Sequence, residues 1–322
     1  MRYIVTRFPK YTGIGKYVND LEEVKGIDTT TYSLPFRNDA NPEEYYGSLS
    51  KARYHLPGTS GWFLNTRFQG LVYKNLHKEL LKDNLDPKNI FHYTDYGILP
   101  VTAKERSILT IHDLFQVSKN YSKYGYKPQP FLKKTIGKYL EFPHILADSK
   151  HVAKEAVEFG FENSPEVLYP PPAVYLKPGL DKQQCRKKYT LPTDKKLILS
   201  VSSNDPRKNS RGVSKTMDLL GDEYVLVRVG PPMDGAYNFR NLSGDTINEV
   251  YNACDVLLFP TLDEGFGYPL IEAMSTGLPF VSSSIEVVEE VSGNAGILVE
   301  PDPEKCAVAV KEALSNKDDL VN

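Results

Sequence analysis

Two hydrophobic rhythms alternate along this chain. Short, nearly continuous apolar runs predict strands: Arg2 to Thr6, Thr29 to Leu34, Ile90 to Tyr93, Ser107 to Ile111, Ile145 to Ala147, Lys196 to Val201, Tyr224 to Val229, Phe239 to Leu242, Asp255 to Phe259, Pro279 to Ser282 and Ile297 to Val299. Between them lie stretches whose apolar residues return every three or four positions. A helix opening at Gly13 carries Ile14, Tyr17, Val18, Leu21 and Val24 on one side, and Trp62 to Leu81 carries Phe63, Phe68, Leu71, Val72, Leu76 and Leu80. Further helices are predicted from Asp148 and Ser149 through Phe159, from Lys182 to Tyr189, from a cap at Asp245 through Ala253, from Pro269 to a stop at Gly277, from Glu286 to Val291, and from Pro303 to Leu314. Residues 37 to 60, rich in proline, glycine, tyrosine and charge, read as a long excursion. Strand and helix alternating in this way predict an α/β protein with parallel sheets.

The stretch DVLLFPTLDEGFGYPLIEAMSTGLPF, Asp255 to Phe280, concentrates the candidate chemistry. A glycine turn at the carboxyl end of a parallel strand presents backbone amides at a helix N-terminus, and phosphate is the natural guest. Glu264 and Glu272 flank that turn. Carboxylates repel phosphate but accept paired hydrogen bonds from vicinal hydroxyls, so the expected ligand is a sugar joined to a phosphate. The two glutamates, in the context EGFGYPLIEAMSTGLPFV, resemble the signature of retaining nucleotide-sugar glycosyltransferases of family 4, which have two Rossmann-like domains facing across a cleft (GT-B).

That resemblance implies roles for other segments. TIHDL places His112 at a strand end, where the family's histidine approaches the donor sugar, and PRKN places Lys208, with Arg207, at the donor phosphate. The family often has a second cation about five residues earlier, but here that position is Ser203. Glu264 and His112 are expected to orient the sugar, Glu272 to bind the ribose, and Gly265, Phe266 and Gly267 to meet the diphosphate. The TGIG turn, with Gly13 and Gly15, resembles the family's first loop, whose amides face the donor phosphate or the acceptor, so both glycines are expected at the donor site. It lacks the third glycine of a dinucleotide fingerprint, because that position is Val18. Family members ordinarily continue into a helix that crosses back to the first domain, whereas this sequence stops at Asn322.

Composition narrows the partners. With 322 residues, 40% hydrophobic and 25% charged, the chain suits two globular domains, and Pro170, Pro171 and Pro172 mark the boundary: 1–170 as acceptor domain, 171–322 as nucleotide-sugar donor domain. A net charge of −2 argues against a nucleic-acid binder. The start MRYIVTRFPK lacks a secretory apolar core and no run suits a membrane span, which predicts a cytoplasmic protein. Cys185, Cys254 and Cys306 indicate neither a disulfide framework nor a thiolate site, and no histidine spacing suggests a metal. Lys119, Lys123, Lys127, Lys133, Lys134 and Lys138, interleaved with aromatics, suit an exposed face, a phosphorylated acceptor or peripheral contact with an anionic membrane. The expected activity is metal-independent, cofactor-free transfer of a hexose from a nucleoside diphosphate sugar to a hydroxyl of a glycan, lipid or small molecule. An epimerase or hydrolase of the same fold, or a non-catalytic nucleotide-sugar binding subunit, are the alternatives.

Overall fold

A computed structural model describes residues 1–6, 12–33, 86–98, 100, 102–118, 121–125, 130–172, 174–293 and 295–316. The expected helix Trp62 to Leu81 and the excursion at 37 to 60 lie outside the described residues, as do Leu34, Lys119 and Lys127. The chain divides into two compact units, Met1–Pro170 and Pro171–Asn322, at the run of prolines. Stacked prolines lack amide donors and hold an extended backbone, so neither a helix nor a sheet ladder continues through them.

The first unit holds a six-stranded parallel sheet in the order β2-β1-β3-β4-β5-β6, with β1 Arg2–Thr6, β2 Thr29–Ser33, β3 Ile90–Tyr93, β4 Ser107–Ile111, β5 His144–Ala147 and β6 Glu166–Val167. Its helices are α1 Gly13–Glu22, α2 Pro130–Ile136 and α3 Lys150–Phe159. Tyr3, Val5, Phe91, Tyr93, Leu109, Ile111 and Ala147 share one buried cluster with Val152 and Ala156 of α3. The last strand is short: it ends at Val167, and just beyond it the Leu168 amide donates to the Ala147 carbonyl at 2.8 Å.

In the second unit a six-stranded parallel sheet runs β12-β11-β10-β7-β8-β9, built from β7 Lys196–Val201, β8 Tyr224–Val229, β9 Tyr237–Phe239, β10 Val256–Phe259, β11 Phe280–Ser283 and β12 Ile297–Val299. Helices α4 Lys182–Lys188, α5 Ser210–Leu220, α6 Gly244–Ala253, α7 Tyr268–Thr276, α8 Glu286–Ser292 and α9 Pro303–Ser315 connect and cover it. Successive side chains of a strand point to opposite faces. Accordingly, Leu197, Leu199, Leu257 and Phe259 fill one core cluster, whereas Ile198, Val256, Leu258 and Val281 fill another. Apolar residues on both faces explain why these strands are continuous runs rather than alternating ones. Each buried leucine contributes about 2 kcal/mol.

Three boundaries differ from expectation for local reasons. The cap of α6 is Ser243, whose hydroxyl accepts from the Thr246 amide at 3.3 Å, while Asp245 lies inside the first turn, where its charge complements the helix dipole. Helix α7 starts at Tyr268 with Pro269 second, a position whose missing N–H would have no intrahelical partner in any case. The short strand near Phe239 forms earlier, at Tyr237–Phe239, because its pairing with Val227 to Val229 fixes the register. All three cysteines are buried and free.

Candidate active site

The sequence-nominated residues collect at the carboxyl ends of strands in each unit. In the first, β4 and β5 pair so that Ile111 faces Ala147, and the next residue of each strand is therefore a neighbour across the sheet: His112 and Asp148. Their contact follows, with His112 Nδ1 3.0 Å from Asp148 Oδ2. Asp148 is buried, and burial raises its carboxyl above the usual aspartate range despite the histidine beside it. Ser149 then caps α3, its hydroxyl accepting from the Val152 amide at 3.1 Å.

The imidazole is 9% exposed and is held edge-on by the Tyr17 ring, centroids 4.9 Å apart. Tyr17 hydroxyl and His92 Nε2 both meet Thr110 Oγ1, at 2.9 and 2.7 Å. Burial drives His92 down to about 3 and Tyr17 up to about 12, so both are neutral and serve as props. With Nδ1 engaged by Asp148, His112 Nε2 is the nitrogen left for a substrate; it is buried and has no hydrogen-bond partner among the described residues. The TGIG turn is otherwise occupied in part. The Gly15 amide donates to Thr12 Oγ1 at 3.0 Å as the N-cap of α1, leaving Gly13 at the first turn.

In the second unit the turn after β7 is cross-linked to the turn after β10. Pro206–Lys208 form one 3-10 turn, and Asn209, in the left-handed region at φ 54°, caps α5 through the Gly212 amide at 3.1 Å while its Nδ2 donates to the Pro260 carbonyl at 3.1 Å. The Arg207 carbonyl accepts from the Leu262 amide at 2.6 Å. Thr261, fully buried, places Oγ1 3.1 Å from that carbonyl and 3.1 Å from Glu264 Oε1. These ties bring Lys208 Nζ to 2.5 Å from Glu264 Oε1, an ion pair with side chains 15% and 7% exposed. Arg207 Nε instead donates to Asp205 Oδ2 at 3.3 Å.

Beyond Glu264 the chain passes through buried Gly265 and Phe266 to Gly267, whose φ of +93° and a Leu270 methyl 3.2 Å from any added Cβ make glycine the fitting residue. Glu272, one turn into α7, is buried and accepts from the Tyr251 hydroxyl of α6 at 2.6 Å. Among the described residues no group of three or more metal-ligating side chains occurs, and no helix is long and apolar enough to cross a membrane.

Sequence reasoning nominated Lys208, Glu264 and Glu272 but missed the partners that hold His112 and Glu272, namely Asp148, Tyr17 and Tyr251. Asp148 carried a signal, since it follows an apolar run by one residue just as His112 does. Tyr17 and Tyr251 carried none, because an aromatic on a helix reads as core.

Residues 217–316 match the family described as Glycosyl transferases group 1. That stretch lies within the second unit and runs from the end of α5 to the end of α9. The glycosyltransferase match extends to relatives named as mannosyltransferases. An O-antigen chain mannosyltransferase of Salmonella typhimurium is 32% identical over 124 residues, 34% of this chain and 35% of that protein. A serotype-specific mannosyltransferase of Escherichia coli is 29% identical over 221 residues, 58% of this chain and 26% of that protein. The matched regions thus span about a third or less of these relatives' lengths. Among solved structures, the Anabaena protein HepE in complex with UDP-glucose superposes with a TM-score of 0.77 at 13% identity, covering 100% of this chain and 92% of that one. A sucrose-phosphate synthase from Thermosynechococcus elongatus gives 0.74 at 15% identity, covering 100% and 91%. At such identities the likeness is one of fold, and the two parallel-sheet α/β units are those of the GT-B class.

Proposed function

We propose that this protein transfers a hexose from a nucleoside diphosphate sugar to a hydroxyl acceptor with retention at the anomeric carbon. The observation that carries the reading is the Lys208–Glu264 pair, held by Thr261 and Asn209 beside a glycine turn that opens α7. A half-buried ammonium next to backbone amides suits a diphosphate and stabilises it as a leaving group, which is the main electrostatic demand when an oxocarbenium-like centre forms. In this assignment the amides around Gly265, Phe266 and Gly267 meet phosphate oxygens together with Lys208. Glu264 accepts from sugar hydroxyls, and Glu272, oriented by Tyr251, accepts from the ribose. Arg207, paired with Asp205, shapes the turn. In the first unit His112 meets substrate through Nε2, and the turn carrying Gly13 and Gly15 flanks it. Neither a metal nor a cofactor is assigned a part.

The relatives named as mannosyltransferases support a mannose donor and a glycan acceptor. Lys123, Lys133, Lys134 and Lys138 are exposed on the first unit and suit a phosphorylated or lipid-linked acceptor at a membrane face. The test is incubation of the full chain with labelled UDP-, GDP- and ADP-sugars, with and without glycan acceptors, reading product and anomeric configuration by NMR. Acceptor-dependent product of retained configuration is expected. An epimerised donor, free sugar alone, or binding without turnover would overturn the reading.

A further inference from the structure

Of the cations in the second unit, Lys208 is engaged by Glu264 and Arg207 by Asp205. Arg228 differs. It is the penultimate residue of β8, is 0% exposed, and is the largest fully buried side chain described. Register places it opposite Ser200 of β7, so its side chain runs along the same face toward the end of that strand. Its five N–H groups find five acceptors. Nε donates to the Pro231 carbonyl at 3.2 Å, Nη1 to the hydroxyls of Ser200 and Ser202 at 2.9 and 2.7 Å, and Nη2 to the carbonyls of Ser202 and Ser203 at 2.8 and 3.4 Å.

Every one of those acceptors is neutral, and no carboxylate pairs with Arg228 among the described residues. Burial lowers the guanidinium to about 10, so at neutral pH it keeps its charge. A buried charge without a counter-charge is costly, and proteins keep one where an ion of opposite sign arrives. The hydrogen bonds show where. A trans peptide sends its N–H away from its carbonyl, so with the Ser202 and Ser203 carbonyls turned onto Arg228, the amides of Ser203 and Asn204 face the opposite way. Neither amide donates to another described residue. Successive outward amides form an anion cradle. Gly230 permits this approach, since a Cβ there would stand 2.1 Å from the Ser202 carbonyl oxygen.

We propose that Arg228 is the fixed counter-charge of the donor-diphosphate site, a positioning residue that turns the Ser202–Ser203 segment amide-side out. The inference rests on the glycosyltransferase reading and extends it to a residue outside the sequence signature. Calorimetry of the full chain with UDP, GDP and ADP, and with the corresponding uncharged nucleosides, tests it. Arg228→Gln is expected to weaken binding of the preferred diphosphate at least tenfold while its nucleoside binds as before, and Arg228→Lys is expected to recover most of the loss. An equal loss for nucleoside and diphosphate would show a merely structural arginine and overturn the proposal. So would an unchanged diphosphate affinity. Should the glutamine variant not fold, the unmodified protein decides. A buried charge is poorly screened, so the diphosphate advantage over nucleoside should fall less than about threefold between roughly 0.05 and 0.5 M salt. A steep fall assigns the attraction to exposed cations instead and overturns the proposal. If the unmodified protein binds none of the three diphosphates, the glycosyltransferase reading itself fails, an outcome distinct from all of these.

Discussion

Asp148 and Asp255 each sit at one end of a strand in a parallel sheet, and the protein treats their carboxylates in opposite ways. Asp255, just before β10, is met by Lys182 Nζ at 2.8 Å, Arg186 Nη2 at 2.6 Å and the Leu197 amide at 2.7 Å. Burial pushes its carboxyl up, but these partners outweigh burial and hold it below the ordinary range. Asp148, just after β5, has one polar side-chain partner among the described residues, His112, and burial wins, so its carboxyl lies above the ordinary range. Full compensation makes Asp255 a staple that ties α4 to β7 and β10. Partial compensation leaves Asp148 with its carboxyl raised beside His112, the kind of perturbed group on which the proposed site role rests.

The largest effect that would break this comparison is expected for Asp255→Asn. Removing the carboxylate leaves Arg186, 4% exposed, without its counter-charge, and should cost about 3 kcal/mol of stability in urea unfolding. The sign of the pH dependence follows from the lowered carboxyl: its contribution is complete above about pH 4, the unfolded value, and is lost as pH falls through the folded one. The variant should therefore lose much of the acid limb of the stability curve. Asp148, raised on folding, acts oppositely, contributing stability at low pH that is lost as pH rises through its folded value. Acid unfolding that is identical in Asp255→Asn and Asp148→Asn would contradict the contrast.

Next in size, Lys208→Ala should lower kcat about 100-fold, or about 2.7 kcal/mol in the activation barrier, in a donor-transfer assay. Wild-type turnover would remove Lys208 from the leaving-group role. Asp148→Asn should lower kcat about tenfold with nucleoside diphosphate affinity unchanged, and should shift the pH profile of turnover, since the raised Asp148 carboxyl is then gone. A drop in affinity without a change in the profile would reduce Asp148 to a structural part. Smallest is Tyr251→Phe, which deletes one hydrogen bond to Glu272 and should weaken nucleotide binding by about 1 kcal/mol, read by calorimetry.

The part of the site legible in the sequence was the part made by contiguous residues. Gly265, Gly267 and Pro269 punctuate the chain after an apolar run, and this punctuation alone locates the strand, turn and helix around Glu264. The same holds for the PRKN turn and for His112 after β4. The cap of α6 was misplaced by two residues because serine and aspartate compete for that position, and only backbone geometry selects Ser243.

What the sequence by itself determined is the alternation of elements, the proline boundary and the chemical types available at the strand ends. Only the tertiary structure decided which strands stand side by side, and with that which charges meet. His112 reaches Asp148 because β4 lies against β5, Lys208 reaches Glu264 because β7 lies against β10, and Arg228 reaches Ser202 because β8 lies on the other side of β7. Local propensity acts over a few residues, whereas Coulomb forces and hydrogen bonds act over a few ångströms, and only the folded sheet converts one distance into the other.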